Sequence, residues 1–137
     1  MLASLYGDVS VKNSGSKGPL GVDCETGSNG VLENGEPEFP DLVLGEWTCY
    51  GWMIGDGAHT QTGEWVVSTQ VYQFADGSTI ITNGFEVVDF AVPVMRAVTG
   101  GTGLYRGVTG EMSQILHGFT AQMGVNLTVD FQLDATE

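Results

Sequence analysis

The sequence predicts a single all-β domain of seven or eight antiparallel strands, a sandwich or a barrel, on three observations. Apolar residues alternate with polar ones through much of the chain and do not recur at three and four over any long window. Turn signals interrupt the alternation at the spacing of an antiparallel sandwich or barrel. Glycine, 21 of 137 residues, is about twice as frequent as usual and is spread along the whole chain. Such a distribution suits tight turns and bent strands rather than a low-complexity linker.

Ser4–Val11 reads as a first strand, and Gly27–Pro40 as a loop or frayed edge. Glu46–Ile54 is a strand that ends at Gly55-Asp56-Gly57. Glu64–Phe74 leads into Asp76-Gly77, a strong hairpin signal, and Thr79–Val88 follows it. Val92–Val98 runs into the cluster Gly100-Gly101-Thr102-Gly103, and Glu111–His117 lies between Gly110 and Gly118. The last strand is the clearest: Met123, Val125, Leu127, Val129, Phe131 and Leu133 alternate with Gln122, Gly124, Asn126, Thr128, Asp130 and Gln132. Several strands are apolar on both faces, Trp65–Tyr72 above all, which favours a closed sheet with an apolar interior and a covered outer face.

The length fits one domain, residues 1–137, with 1–44 the least patterned part. Four Lys plus Arg stand against 17 Asp plus Glu, a formal charge of −13. That balance argues against nucleic acid and against an anionic membrane surface, both of which need clustered cations. No stretch is long and apolar enough to span a bilayer as a helix, and Met1–Tyr6 lacks the pattern of a secretory signal, so a cytoplasmic location is expected. Cys24 and Cys49 are too few for a disulfide framework, and two thiols are the simpler expectation. Asn126-Leu127-Thr128 matches a glycosylation sequon but sits inside a strand.

Familiar catalytic motifs are missing. Gly101, Gly103 and Gly107 have the wrong spacing for a dinucleotide loop, and no helix follows them. His59 and His117 are far apart with no ligand spacing around either, so no metal is expected. There is no nucleophile elbow.

The segment Ala97-Val98-Thr99-Gly100-Gly101-Thr102-Gly103-Leu104-Tyr105-Arg106-Gly107-Val108-Thr109-Gly110-Glu111-Met112 resembles the A-V/I-T-G-G-T/A-G-x-Y/F-x-G-x-x-G signature of the allene oxide cyclase and dirigent barrels. The order of the surrounding strands and the Asp76-Gly77 hairpin are similar too, over about Gly45 to Leu133. The resemblance implies an eight-stranded antiparallel β-barrel with a mostly apolar central cavity. It also implies a ligand-folding role, nearest in type to bacterial polyketide cyclases of the spirotetronate-forming Diels–Alderase kind. The glycines would let strands bend and take positive φ as the barrel closes.

The same resemblance selects one register on each strand. It places Trp47, Cys49 and Met53 inside, then Val66, Ser68, Gln70 and Tyr72, then Thr82, Glu86 and Val88, then Arg96, and finally Met112, Gln114 and Leu116. A slip of one residue would invert any of these sets. Glu86 and Arg96 are the charged pair among them. One reading is a structural ion pair, since buried charges normally pair. The other is catalytic, with Arg96 holding a carbonyl or enolate oxygen while Glu86 orients it or moves a proton. Gln70 and Tyr72 would donate further hydrogen bonds. Trp47 serves packing or ligand stacking, and Cys49 reads as a small filler rather than a nucleophile.

The expected function is a cofactor-free cyclase or isomerase that folds an apolar polyene or polyketide-type substrate for intramolecular cyclisation. The alternatives are a non-catalytic dirigent-like barrel that directs stereochemistry, and a structural β-domain with a filled interior. The expected partners are a small apolar organic substrate and a second or third copy of the chain, a homodimer or homotrimer.

Overall fold

The computed structural model describes residues 2–6, 36, 40–119 and 125–134. They form an all-β, curled antiparallel sheet, a half-barrel. Six long strands build it: β2 (Val43–Met53), β3 (Glu64–Phe74), β4 (Thr79–Val87), β5 (Pro93–Thr102), β6 (Gly110–Phe119) and β7 (Val125–Leu133). A short strand, β1 (Leu2–Tyr6), flanks β2. The order in the sheet is the order in the chain, β1 to β7, and every neighbouring pair is antiparallel. Short connections and period-2 alternation produce this meander. Among the described residues no rung joins β7 back to β1.

The curl is measurable from side chains. In a flat sheet β3 and β7 would lie about 19 Å apart, four strand spacings. Instead the rings of Tyr72 on β3 and Phe131 on β7 meet edge to face with centroids 4.9 Å apart. Gln70 on β3 likewise reaches Gln114 on β6 at 2.7 Å, across three strand spacings. Side chains that meet over such chords lie on the concave face.

At one end the concave face is filled. Tyr72, Ile80, Met112 and Phe131 are at most 2% exposed and pack with Trp47, Val98 and Val108. The hairpin at Asp76-Gly77 closes this end as its sequence predicts. Gly77 has φ +87°, and the Asp76 carboxylate accepts from Ser78 N (2.8 Å) and Ser78 Oγ (3.0 Å). Ser78 Oγ in turn accepts from Leu104 N at 3.0 Å, tying this hairpin to the Gly103–Tyr105 turn.

Element limits differ from the sequence expectation in places. β5 runs through the glycine cluster to Thr102 rather than stopping at Val98. Gly101 makes this possible through close approach: a Cβ there would lie 2.5 Å from Thr79 O and 2.6 Å from Tyr105 O. β2 begins three residues earlier than expected, at Val43, and β4 ends at Val87. The first strand spans Leu2–Tyr6; its expected extension over 7–11, the 120–124 stretch containing Met123, most of 27–40 and Cys24 lie outside the described residues. Among the described residues no helix is long and apolar enough to cross a membrane.

The opposite end is more exposed. Phe90, Val92 and Phe119 are each more than two-fifths exposed, and the rings of Phe90 and Phe119 approach to 6.3 Å between centroids. The loop after β4 is held by Ala91 N, which donates to Leu116 O at 2.8 Å, and Ala91 itself takes a φ of +60°. Asp89 anchors the same loop by accepting from Gly63 N (2.6 Å) and Thr62 Oγ1 (2.7 Å). The Gly63 amide, and next the Thr62 hydroxyl, hold its carboxyl below the usual aspartate range. A lowered folded pKa means that the charge stabilises this loop above the unfolded value, about 3.9, and that this is lost as pH falls through the folded value. Asp89→Asn is therefore expected to lower the melting temperature at neutral pH, with the difference from wild type shrinking as pH falls through the lowered folded pKa. Melts across that range check it; a difference independent of pH would contradict the assignment.

Candidate functional site

Between the filled end and the exposed end lies a polar layer on the concave face. Its local cause is alternation: on β3 the residues Ser68, Gln70 and Tyr72 share one face and are all buried. Register places Thr82 beside Gln70, Gly84 beside Ser68 and Glu86 beside Val66. Arg96 faces Met112 across β5 and β6, and Gln114 follows two residues on.

The layer is one connected hydrogen-bond network. Tyr72 OH donates to Gln70 Oε1 at 2.6 Å, and Thr82 Oγ1 donates to the same oxygen at 3.4 Å. With that oxygen occupied by donors, the Gln70 amide nitrogen turns the other way. It donates to Gln114 Oε1 at 2.7 Å and to Glu86 Oε1 at 3.1 Å. Gln114 Nε2 also donates to Glu86 Oε1, at 3.2 Å. Glu86 Oε2 receives the Cys49 thiol at 3.7 Å. The carboxylate is thus gripped through one oxygen by two amides, while its second oxygen meets only that long thiol contact among the hydrogen bonds described. Such satisfaction is what a carboxylate away from bulk water requires.

Arg96, 1% exposed, is spent on the protein. Its Nε donates to Thr82 Oγ1 (3.2 Å), Nη1 to the carbonyls of Gly84 and Phe85 (both 3.1 Å), and Nη2 to Ser68 O (2.9 Å). The β4–β5 rungs stop at Asn83–Ala97, so the guanidinium takes up carbonyls of β4 beyond the last rung. Burial pulls its pKa down and the Glu86 charge opposes that. The structural ion pair, one of the two readings of Glu86 and Arg96, is therefore not formed directly. The two charges share the layer, but the guanidinium bonds main-chain carbonyls and the carboxylate bonds glutamine amides.

The residues of the inward set differ in depth. Trp47, Ser68, Gln70, Tyr72, Thr82, Arg96, Met112, Gln114 and Leu116 are buried; Cys49, Val66 and Glu86 are half-buried. Val88 lies just past the end of β4, where its N–H donates to Gly63 O at 3.0 Å, and Met53 is 52% exposed at the outer end of β2. Burial, and then the Glu86 charge, push the Cys49 thiol up, which makes it a poor nucleophile. Burial raises the Tyr72 phenol as well, so it stays a neutral donor. His59 is exposed at the end of the Gly57–His59 turn. Among the described residues no three His, Cys, Asp or Glu side chains gather as a metal site.

Sequence reasoning missed Phe90 and Phe119, which flank the exposed end. The signal was present in Phe90-Ala91-Val92, an apolar run in a loop where polar residues are usual.

Comparisons of the chain with protein-family models, with curated proteins and with solved structures find no match. The site is therefore read on its own geometry. It offers one carboxylate in a buried polar floor, neutral donors around it, a solid apolar plug on one side and exposed aromatic rings on the other.

Proposed function

We propose that this chain is a cofactor-free cyclase or isomerase that folds a flexible apolar substrate, of polyene or polyketide type, against the concave face. In this reading the half-barrel is the wall of an eight-stranded barrel of the allene oxide cyclase and dirigent type. The resemblance of Ala97–Met112 to that signature supports it. The observation that carries the proposal is Glu86, a lone carboxylate gripped by Gln70 and Gln114 in a polar floor beneath an apolar, exposed end.

The chemistry this favours is intramolecular cycloaddition or a related ring closure. In a [4+2] closure three π bonds become two new C–C σ bonds and one π bond within the same molecule. No proton, electron or leaving group departs. What such a reaction needs is a rare reactive conformer, and positioning alone supplies up to about 7–11 kcal/mol. Apolar walls compact the chain, and Glu86 fixes its polar group. The buried Arg96 charge, though bonded to carbonyls, biases the local potential toward developing oxyanion character.

Incubating the purified protein with a linear polyene bearing a terminal dienophile, without oxidant or cofactor, tests the proposal. A faster and stereochemically biased cyclisation is expected; the uncatalysed rate and product ratio would contradict it. A second reading, a stereodirecting binder without catalysis, draws on Arg96 being committed to main-chain carbonyls. It is distinguished by a changed product ratio when the bond-forming agent is supplied separately and an unchanged rate otherwise.

We further propose that two copies associate through the convex face. Tyr50, Trp52, Phe85 and Met95 are exposed there, with Trp52 79% accessible and Trp52, Val67 and Phe85 adjacent across β2, β3 and β4. The row is uncharged, whereas the chain as a whole carries −13, so self-contact elsewhere meets repulsion. Light scattering is expected to give more than one chain per particle, and Trp52→Glu to give one. An assembly unchanged by that substitution would exclude this face.

A further inference from the structure

Two buried polar atoms on the concave face, Trp47 Nε1 and Ser68 Oγ, have no hydrogen-bond partner, and Ser68 is the one in the polar layer. Ser68 is 5% exposed, yet its Oγ has no hydrogen-bond partner. A buried hydroxyl left unpaired is destabilising, so its presence calls for a reason. Its surroundings explain why the protein does not satisfy it. Directly across on β2 stands Gly51 and on β4 Gly84, neither of which has a side chain to offer. A Cβ at Gly51 would come within 2.7 Å of Ser68 Cα, and one at Gly84 would meet Arg96 Cα at 3.4 Å. The nearest polar side chains are therefore diagonal: Cys49, Gln70 and Glu86. The Ser68 hydroxyl lies near the Cys49 thiol without completing a bond of normal geometry, and that thiol contacts Glu86 Oε2 at 3.7 Å.

Two complementary groups thus flank the Cys49 thiol within the polar floor. Glu86 Oε2 has acceptor capacity beyond the long Cys49 thiol contact, since both glutamine amides go to Oε1. Ser68 Oγ carries a proton to give. We infer that these two groups anchor a hydroxyl or enol of the ligand, which donates to Glu86 Oε2 and accepts from Ser68 Oγ, with the apolar remainder directed toward Phe90 and Phe119. A carboxylate head is repelled by Glu86 and by the acidic chain; an ether lacks the proton that Glu86 requires. This rests on the concave face being the ligand site, and it names the chemical class of ligand: neutral, apolar and hydroxyl-bearing.

Equilibrium dialysis with 2-naphthol and 2-methoxynaphthalene tests it on the whole protein. The phenol is expected to bind about tenfold tighter than its methyl ether, one well-made hydrogen-bonded group. In Ser68→Ala both probes are expected to weaken by a similar factor, about threefold, because either ligand oxygen accepts from Ser68 Oγ, with a melting temperature equal to or above wild type; in Glu86→Gln, which removes the acceptor of the phenol proton, the preference is expected to shrink to about twofold. Equal binding of both probes to wild type, a preference that survives Glu86→Gln, or binding of both probes unchanged in Ser68→Ala overturns the anchor while leaving the concave site standing. No binding of either probe overturns both the anchor and the site. Loss of both probes in Ser68→Ala together with a lowered melting temperature shows that the hydroxyl serves the fold, and this too overturns the anchor.

Discussion

Arg96→Met is expected to remove about 3–5 kcal/mol of folding stability, the largest single-residue effect in the molecule. The guanidinium bonds three main-chain carbonyls, those of Ser68, Gly84 and Phe85, and the Thr82 hydroxyl, at 2.9–3.2 Å and 1% exposure. Methionine fills much of the same volume but leaves those acceptors without this donor. Arg96→Lys is expected to recover only part of the loss, because an ammonium is a point donor and does not span a fork of acceptors on two strands. Denaturant titrations check both variants. A midpoint in Arg96→Met close to wild type would mean that the carbonyls find other partners and that the guanidinium is not what joins β3 and β4 to β5 here.

Glu86→Gln is expected to lower turnover in the cyclisation assay about 100-fold while leaving the fold intact. Gln keeps a carbonyl oxygen for the amides of Gln70 and Gln114, which donate to Glu86 Oε1 at 3.1 and 3.2 Å. It removes the charge and turns the other end from an acceptor into a donor facing the Cys49 thiol. A structural role would show as lost stability with activity falling in step. A role in holding substrate shows as lost turnover at an unchanged melting temperature. Turnover retained in a folded Glu86→Gln would remove the carboxylate from the proposed chemistry.

The two predictions concern residues whose face was legible in advance and whose partners were not. Strand β3 was readable to the residue, Glu64–Phe74, because alternation and the Asp76-Gly77 turn are both local signals. Two-residue periodicity, with the register suggested by the allene oxide cyclase resemblance, put Gln70, Tyr72, Thr82, Arg96 and Gln114 on the inner face, and all five are buried. The glycine cluster was read as a bend. Gly103 does take a positive φ, +63°, but Gly101 is needed because two carbonyls press on it, which no local pattern announces. A Glu86–Arg96 ion pair was one of two readings drawn from opposite charges on adjacent strands. It fails because β4 loses its rungs to β5 beyond Asn83, and the carbonyls released there capture the guanidinium.

By itself the sequence determined the all-β class, the order of the hairpins and the face on which most side chains lie. These follow from the two-residue period of a strand and from turn chemistry, which act within a few residues. Only the tertiary structure decided that Gln70 meets Gln114 across three strands, that Tyr72 meets Phe131 across four, and that one end is filled while the other exposes Phe90 and Phe119. Curling a sheet shortens the chords across its concave face, and which side chains then touch depends on the sum of twists and bulges over many strands.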